Sequence, residues 1–430
     1  MRRPQSRELP APGPARSLVI EAMGCEGEGA AAPDAQGRRV YTPLTLPGET
    51  VMANVSGERG QVVSITTPSA DRVEPPCRHF GECGGCALQH WRSEPYLAWK
   101  VERLRQTLSR ERIETEFLEP FAAGPGSRRR ITLHARRGSR PDIARLGFKR
   151  RGSWELVEIT ECAIAAPALT AAFPGLARLA AAFLEAPKSA PSLHVTLTGT
   201  GLDIDVTGVQ GKELALSADA RRRAAEAAAA FDFARVSLAG ETLYQSRLPV
   251  VAFGPGRVVL PCGGFLQASA EAERVMTQDA VEAARGAKRI ADLFCGAGAF
   301  TYPLATVAPV LAIDSATASI DALRSGLATA PGLKTVDAVA RDLFRRPLSD
   351  KELKGVDVVV IDPPRAGAID QMSAIASSGV GKVVAVSCNP ATFVRDAAAL
   401  IHGGFRLSRL RPVDQFLWSA HIEVVGVFER

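Results

Sequence analysis

No stretch of about 18 uninterrupted apolar residues occurs in this chain, so no segment reads as a helix that crosses a bilayer. Met1 to Arg16 is rich in Arg and Pro and lacks an apolar h-region, so no secretory signal is read there. Pro10, Pro12 and Pro14 also oppose the amphipathic helix that a mitochondrial transit peptide needs. Cysteine is sparse, with eight in 430 residues, which argues against a disulfide scaffold. The poverty of apolar residues that marks disorder is missing as well, since 46% of the chain is hydrophobic and 23% charged. These absences leave a soluble, cytoplasmic protein with no membrane partner, too long for one hydrophobic core.

Residues 17 to 65 read as short strands broken by glycine and predict a small β-barrel: Ser17 to Ala22, Arg38 to Thr42, Thr50 to Val55 and Gly60 to Ile65. Thr66 to Pro76 is polar and reads as a linker, and Glu94 to Arg112 as a helix. Two Ala-rich helical segments, Ala165 to Leu184 and Leu214 to Ala230, flank a strand-like stretch from Ser192 to Val206. From Arg289 onward apolar β-branched runs alternate with helical segments, namely Ile290–Phe294, Val310–Ile313, Val356–Ile361, Lys382–Ser387, Phe405–Leu410 and Val424–Phe428. That rhythm predicts an α/β fold with a parallel sheet covered on both faces, whose ligand lies at the carboxyl ends of the strands.

Two features of the first half point to partners. Between Arg128 and Arg151 stand ten Lys or Arg residues and one acid, Asp142, a density that attracts a phosphate backbone and suggests RNA. Cys77, Cys83 and Cys86 are closely spaced and Cys162 lies far downstream, a set that can hold an iron–sulfur cluster or zinc. The single tight triplet favours iron–sulfur, while His79 and His90 leave a mixed zinc site open.

The strand ends carry the chemistry. Asp292-Leu293-Phe294-Cys295-Gly296-Ala297-Gly298 puts glycines where backbone passes close to a bound nucleoside. Asp314 ends the next strand, where a carboxylate can hold two ribose hydroxyls, and Asp342 stands where a third strand should end and can reach the adenine. Residues 296 to 301 do not continue as Gly-x-Gly-x-x-Gly, so S-adenosylmethionine fits better than NAD. Asp362-Pro363-Pro364 fixes an extended turn that holds a carboxylate over the pocket. Cys388, between Ser387 and Asn389-Pro390, is placed as a nucleophile, and strand alternation turns Glu423 toward the pocket as a base.

Together these residues resemble the TrmA/RumA family of S-adenosylmethionine-dependent RNA uracil-5-methyltransferases over nearly the whole chain. Phe265-Leu266-Gln267, Asp362-Pro363-Pro364-Arg365-Ala366-Gly367, Ser387-Cys388-Asn389-Pro390 and His421-x-Glu423 are similar to its motifs, and Cys77, Cys83, Cys86 and Cys162 to its [4Fe-4S] ligands. The resemblance implies a TRAM-like OB β-barrel at 1–68, a central α+β iron–sulfur and RNA-binding domain at 69–245, and a Rossmann-like class I methyltransferase domain at 246–430. It implies Cys388 and Glu423 as catalytic residues, with Gln267, Phe294, Asp314, Asp342 and Asp362 lining the cofactor and base pocket. Because family members acting on tRNA in bacteria generally lack the barrel and cluster, it also implies 23S rRNA as substrate; a monomer is expected.

C5 of uracil is a poor nucleophile until a thiolate adds to C6, so the implied reaction runs through a Cys388 adduct, with Glu423 removing the C5 proton. Asp362 would accept a hydrogen bond from the base edge. Cytosine-5 enzymes carry a Cys in the fourth-strand motif, which is absent here, and amino-group methylation uses an aromatic residue where Arg365 stands. Methylation of tRNA, or a non-catalytic role as an RNA-binding assembly factor, remain the alternatives.

Overall fold

The computed structural model describes residues 13–209 and 216–430; the reading of the first twelve residues, and of Leu214 as the start of a helix, lies outside them. The chain divides into two compact units, one of Met1–Lys100, Leu146–Ala163 and Phe416–Ala420, the other of Val101–Arg145, Ile164–Gln415 and His421–Arg430. Among the described residues no helix is long and apolar enough to cross a membrane.

In the first unit the expected barrel is present. Five strands close it: Ala15–Met23, Gly29–Ala31, Tyr41–Thr42, Thr50–Ser56 and Arg59–Thr67. Strict alternation along Thr50–Ser56 sends Val51 and Ala53 inward against Ile20 and Ala31, the period of a half-buried strand. The stretch read as a linker is tied down instead. Arg72 donates to Glu49 at 2.6 and 2.9 Å and to the Leu44 carbonyl at 2.8 Å, while Glu49 is fully buried and needs that partner. Leu46, Leu88, Trp91 and Tyr96 form a second small core there.

Besides the two-stranded hairpin of Val250–Phe253 and Gly256–Val259, the described residues of the second unit contribute strands to two larger sheets. In the smaller of these, Arg130–Arg136, Ser192–Thr198, Gly201–Thr207, Arg235–Leu238 and Glu241–Gln245 lie side by side in that order. The stretch read as one strand is therefore a hairpin, turning at Gly199 to Gly201. The Ala-rich helix read at Ala165–Leu184 is two, Pro167–Ala171 and Phe173–Ala181, with Pro174 in the first turn of the second, where its missing N–H costs nothing.

The larger sheet runs Val336–Ala340, Val310–Asp314, Ile290–Leu293, Val358–Ile361, Lys382–Ser387, Glu423–Glu429, Arg406–Asp414, with Glu116–Phe117 and Phe121–Ala122 pairing the last. Its first five strands are parallel. Val358 and Val360 face one core while Val359 and Ile361 face the other, which is why this run is apolar without alternation. The expectation of parallel strands throughout fails for Glu423–Glu429, which runs antiparallel to both of its neighbours. Only Gln415 to Ile422 joins it to Arg406–Asp414, too short for a helical crossover of a dozen or more residues. Strand order reverses around Ile290–Leu293, so the loops after it and after its neighbours open at a switch point.

Candidate active site

The carboxyl ends of the parallel strands bring the predicted residues together within the second unit. Lys382–Ser387 ends at Cys388, and Val358–Ile361 ends at Asp362, whose N–H reaches the Leu293 carbonyl at 3.3 Å. Glu423 begins the last strand and is buried, as are the five residues that follow it. Gln267 lies just before the helix Ala270–Ala283, which Ser269 caps by accepting from Ala272 N–H.

A continuous chain of hydrogen bonds joins the two acids. Gln267 Nε2 donates to Asp362 Oδ2 at 2.8 Å, and Gln415 Nε2 donates both to Gln267 Oε1 at 2.8 Å and to Glu423 Oε2 at 2.7 Å. The Ala268 N–H donates to Gln415 Oε1 at 2.9 Å. Burial holds the Asp362 and Glu423 carboxyls above the ordinary carboxylate range, and for Glu423 the neighbouring Asp362 charge adds to the rise. Burial likewise pushes the Cys388 thiol up to about 11, with Glu423 and Asp362 adding to the rise and Arg365 opposing it.

Local structure holds Cys388 from both sides. Ser387 Oγ accepts from Asn389 N–H at 3.2 Å, and Asn389 caps the helix Pro390–His402, its Oδ1 accepting from Ala391 N–H at 3.1 Å. The turn after Asp362 packs on that helix: Gly367 adopts φ +73, and a Cβ there would stand 2.5 Å from Asp396 Oδ2. Asp396 is buried and accepts from Ala368 N–H at 2.7 Å.

The other predicted pocket residues cluster around the glycine loop. Asp314 accepts from Gly296 N–H at 2.9 Å and Ala316 N–H at 2.7 Å. Asp342, two residues beyond its strand, accepts from Phe344 N–H at 2.9 Å, and the Phe344 ring lies 5.3 Å from that of Phe294. Phe294 has φ +60, a conformation uncommon outside glycine and concentrated at functional sites. Asp292 is fully buried at the base of the loop, and burial raises its carboxyl to about 7. One oxygen accepts from Thr301, and the other has no partner.

Asp292 stands in a motif quoted above with no role assigned, Gln415 stands in none of them, and Arg129 has a different role from the one expected. Taken above as part of a phosphate-attracting run, Arg129 is mostly buried, pairs with Glu273 and donates to the Gln267 carbonyl at 3.0 Å. Other members of the run are also satisfied within the protein, Arg140 by Asp142, Arg150 by Glu155 and Arg151 by Glu28. Arg130 stands with its guanidinium 5.6 Å from the ring of Phe265, which is 67% exposed.

Cys77, Cys83, Cys86 and Cys162 all fall in the first unit, each partly exposed and none in a disulfide. Burial pushes Cys86 up to about 12, with smaller contributions from Cys162, Cys83 and Cys77, so the four lie within electrostatic reach of one another. Gly85 N–H donates to Cys83 Sγ at 3.4 Å. Among the described residues no three metal-ligating side chains converge closely enough to hold a single ion. Of the two histidines that left a mixed zinc site open, His79 Nε2 accepts from Thr160 N–H at 3.1 Å, and His90 is buried against Phe80.

Residues 260–430 match the family described as tRNA (Uracil-5-)-methyltransferase. An uncharacterized RNA methyltransferase of Caulobacter vibrioides is 58% identical over 96% of this chain and 100% of its own length. The 23S rRNA (uracil(1939)-C(5))-methyltransferase RlmD of Chromohalobacter salexigens is 34% identical over 97% of this chain and 90% of its own. Among solved structures, the Pyrococcus abyssi tRNA (uracil-54, C5)-methyltransferase in complex with S-adenosyl-L-homocysteine superposes with a TM-score of 0.73 at 21% identity, covering 96% of this chain and 99% of that one. At that identity the likeness is one of fold.

Proposed function

This chain belongs to the TrmA/RumA family of S-adenosylmethionine-dependent RNA uracil-5-methyltransferases, and on that premise we propose that it methylates C5 of a uridine in 23S rRNA through a covalent adduct between Cys388 and C6 of the base. The observation that carries the reading is the placement of the Cys388 thiol beside two buried carboxyls, Asp362 and Glu423, that are joined by side-chain amides.

The residues present suit the methyl donor. Asp314 still has acceptor capacity after its two backbone bonds, since a carboxylate offers roughly four lone-pair sites. Gly296 adopts φ +54 with open space where a Cβ would project, and Asp292 keeps one buried oxygen without a partner. With Phe294 and Asp342 these residues would hold a nucleoside in a Rossmann-like class I domain spanning 246–430. When bound, S-adenosylmethionine supplies an electrophilic methyl on a sulfonium whose positive charge also favours a thiolate.

Cys388 loses its proton to solvent, and its sulfur bonds to C6 while the C5–C6 π pair moves toward O4 as an enolate. C5, now electron-rich, would take the methyl that bound S-adenosylmethionine supplies, the carbon–sulfur pair staying with the departing sulfur. Glu423 takes the C5 proton. The released C–H pair restores the C5–C6 double bond and expels the Cys388 thiolate. Asp362 accepts from the N3–H of the base. The target atom is inaccessible in a stack, so the uridine enters flipped out or from a single-stranded loop.

RNA carrying 5-fluorouridine at the target has no C5 proton to remove and should trap the adduct. Cys388→Ala is expected to form none, and an adduct in that variant would overturn the mechanism. Glu423→Gln is expected to stall with natural RNA attached. For the substrate, 5-methyluridine is measured by mass spectrometry in separately purified RNA pools from a deletion strain. Loss from large-subunit rRNA alone is expected, whereas loss from tRNA alone would reassign the substrate.

In the first unit, Cys77, Cys83, Cys86 and Cys162 would hold a [4Fe-4S] cluster within a central domain spanning 69–245, beside the barrel of 1–68. The buried thiol of Cys86 and its cysteine neighbours support this, because a cation removes the cost of crowding several thiolates. Anaerobically purified protein should carry about four iron per chain, the full complement of one such cluster, and Cys86→Ser should lose them.

A further inference from the structure

We propose that Gln415 is a positioning residue that sets the hydrogen-bond polarity of the pocket, turning the NH2 of Gln267 toward Asp362 and supplying an N–H to Glu423. Side-chain amides are ambiguous by themselves, since oxygen and nitrogen can exchange places. Here the ambiguity is removed by one main-chain donor. The Ala268 N–H at 2.9 Å can only donate, so the group of Gln415 facing it is the oxygen. Its Nε2 must then face Gln267 and Glu423, at 2.8 and 2.7 Å. The atom of Gln267 receiving that donor is in turn its oxygen, which leaves its nitrogen against Asp362 Oδ2 at 2.8 Å.

Each atom of the chain is thereby assigned from a single backbone N–H. Both hydrogens of Gln415 are used, and the Gln267 oxygen is already engaged. What Gln267 retains for a ligand is one N–H, a donor that suits a ring carbonyl such as O4 of uracil and opposes the amino group in the same place on cytosine. Gln415 and Gln267 are both nearly fully buried, so neither can turn over without leaving a polar group unpaired.

The inference rests on Glu423 being the base that removes the C5 proton. The test uses the full-length enzyme with Gln415→Met, which keeps the volume and removes the donor, and Gln415→Glu, which keeps an acceptor for Ala268 and removes both donors. Gln415→Met should still form the 5-fluorouridine adduct, though more slowly, because Gln267 loses its fixed orientation while Cys388 itself is untouched. That result also shows a folded site. On natural RNA, its kcat should fall at least tenfold with covalent RNA accumulating. The rising limb of kcat against pH should move up by about one pH unit, the worth of one hydrogen bond to a charged group. Gln415→Glu should stall more completely, with a second carboxylate beside Glu423.

An unchanged kcat and pH profile in Gln415→Met, with Glu423→Gln stalled, would overturn the positioning role and leave the base assignment standing. Normal turnover by Glu423→Gln would overturn both. Total loss of the 5-fluorouridine adduct in Gln415→Met, with a melting temperature matching the parent, would also overturn the role, since Gln415 would then be required for addition itself rather than for orientation.

Discussion

At the scale of single residues, the raised carboxyl of Glu423 makes both rate and stability depend on pH. In the unfolded chain a glutamate ionises near ~4.3, whereas in the folded protein the group stays protonated until about 8. Between those values the folded state holds the extra proton. Stability is therefore full below the ordinary carboxylate range and is lost as pH rises through the folded value, by up to about 1.4 kcal/mol per pH unit for one proton. The melting temperature of the cofactor-free enzyme should accordingly fall between pH 6 and 9, and Glu423→Gln should flatten that slope; a parallel slope in the variant would remove Glu423 as its source. Cys388 and Glu423 could be read from sequence because each stands at a strand end beside its own motif. Gln415 and Arg129 could not. Their meaning comes from Ala268 and Glu273, 147 and 144 residues away, and no local pattern encodes such partners.

At the scale of elements, the helix Pro390–His402 carries the nucleophile at its entrance, so its cap and its chemistry can be separated by mutation. Asn389→Ala should cost about 1 kcal/mol through the lost cap. Asn389→Asp should keep the cap, since an anion suits a helix N-terminus, yet slow adduct formation by placing a negative charge next to the Cys388 thiol. Denaturant midpoints and 5-fluorouridine trapping read the two effects independently, and equal trapping rates in parent and Asn389→Asp would count against the electrostatic account. Gly367→Ala should cost about 1–3 kcal/mol from its left-handed φ and lose activity as well, because its new methyl would displace Asp396 and the turn behind Asp362. Gly404→Ala, with φ +90 and open space, is the control and should lose stability alone. The parallel strands were legible as apolar β-branched runs. The antiparallel return was missed because a strand's direction lies in the length of its connection, not in its composition.

At the scale of the whole molecule, the two units draw on interleaved segments of chain, a pattern that periodicity along a sequence cannot reveal. Residues 113–430 include Arg129 and the short strands at Glu116–Phe117 and Phe121–Ala122; residues 246–430 do not. A fragment of 246–430 would leave the Arg406–Asp414 edge unpaired and Glu273 without its partner. It should melt lower and aggregate sooner than 113–430 in calorimetry and light scattering. Arg129→Met in the intact protein should lose about 3–5 kcal/mol, the cost of stranding one partner of a buried pair, which a denaturation curve would register. The barrel and the α/β half were legible because each builds its core from a continuous repeating pattern. The pairings that stitch distant segments together were not.

The main-chain N–H of Ala268 has a consequence for inheritance. Side chains can be exchanged by a single codon change, but the amide hydrogen at position 268 survives every substitution except proline. An orientation anchored to it passes through mutational drift at its own position unaltered, so a lineage can explore side chains at residue 268 while keeping the same arrangement of donors around its two acids.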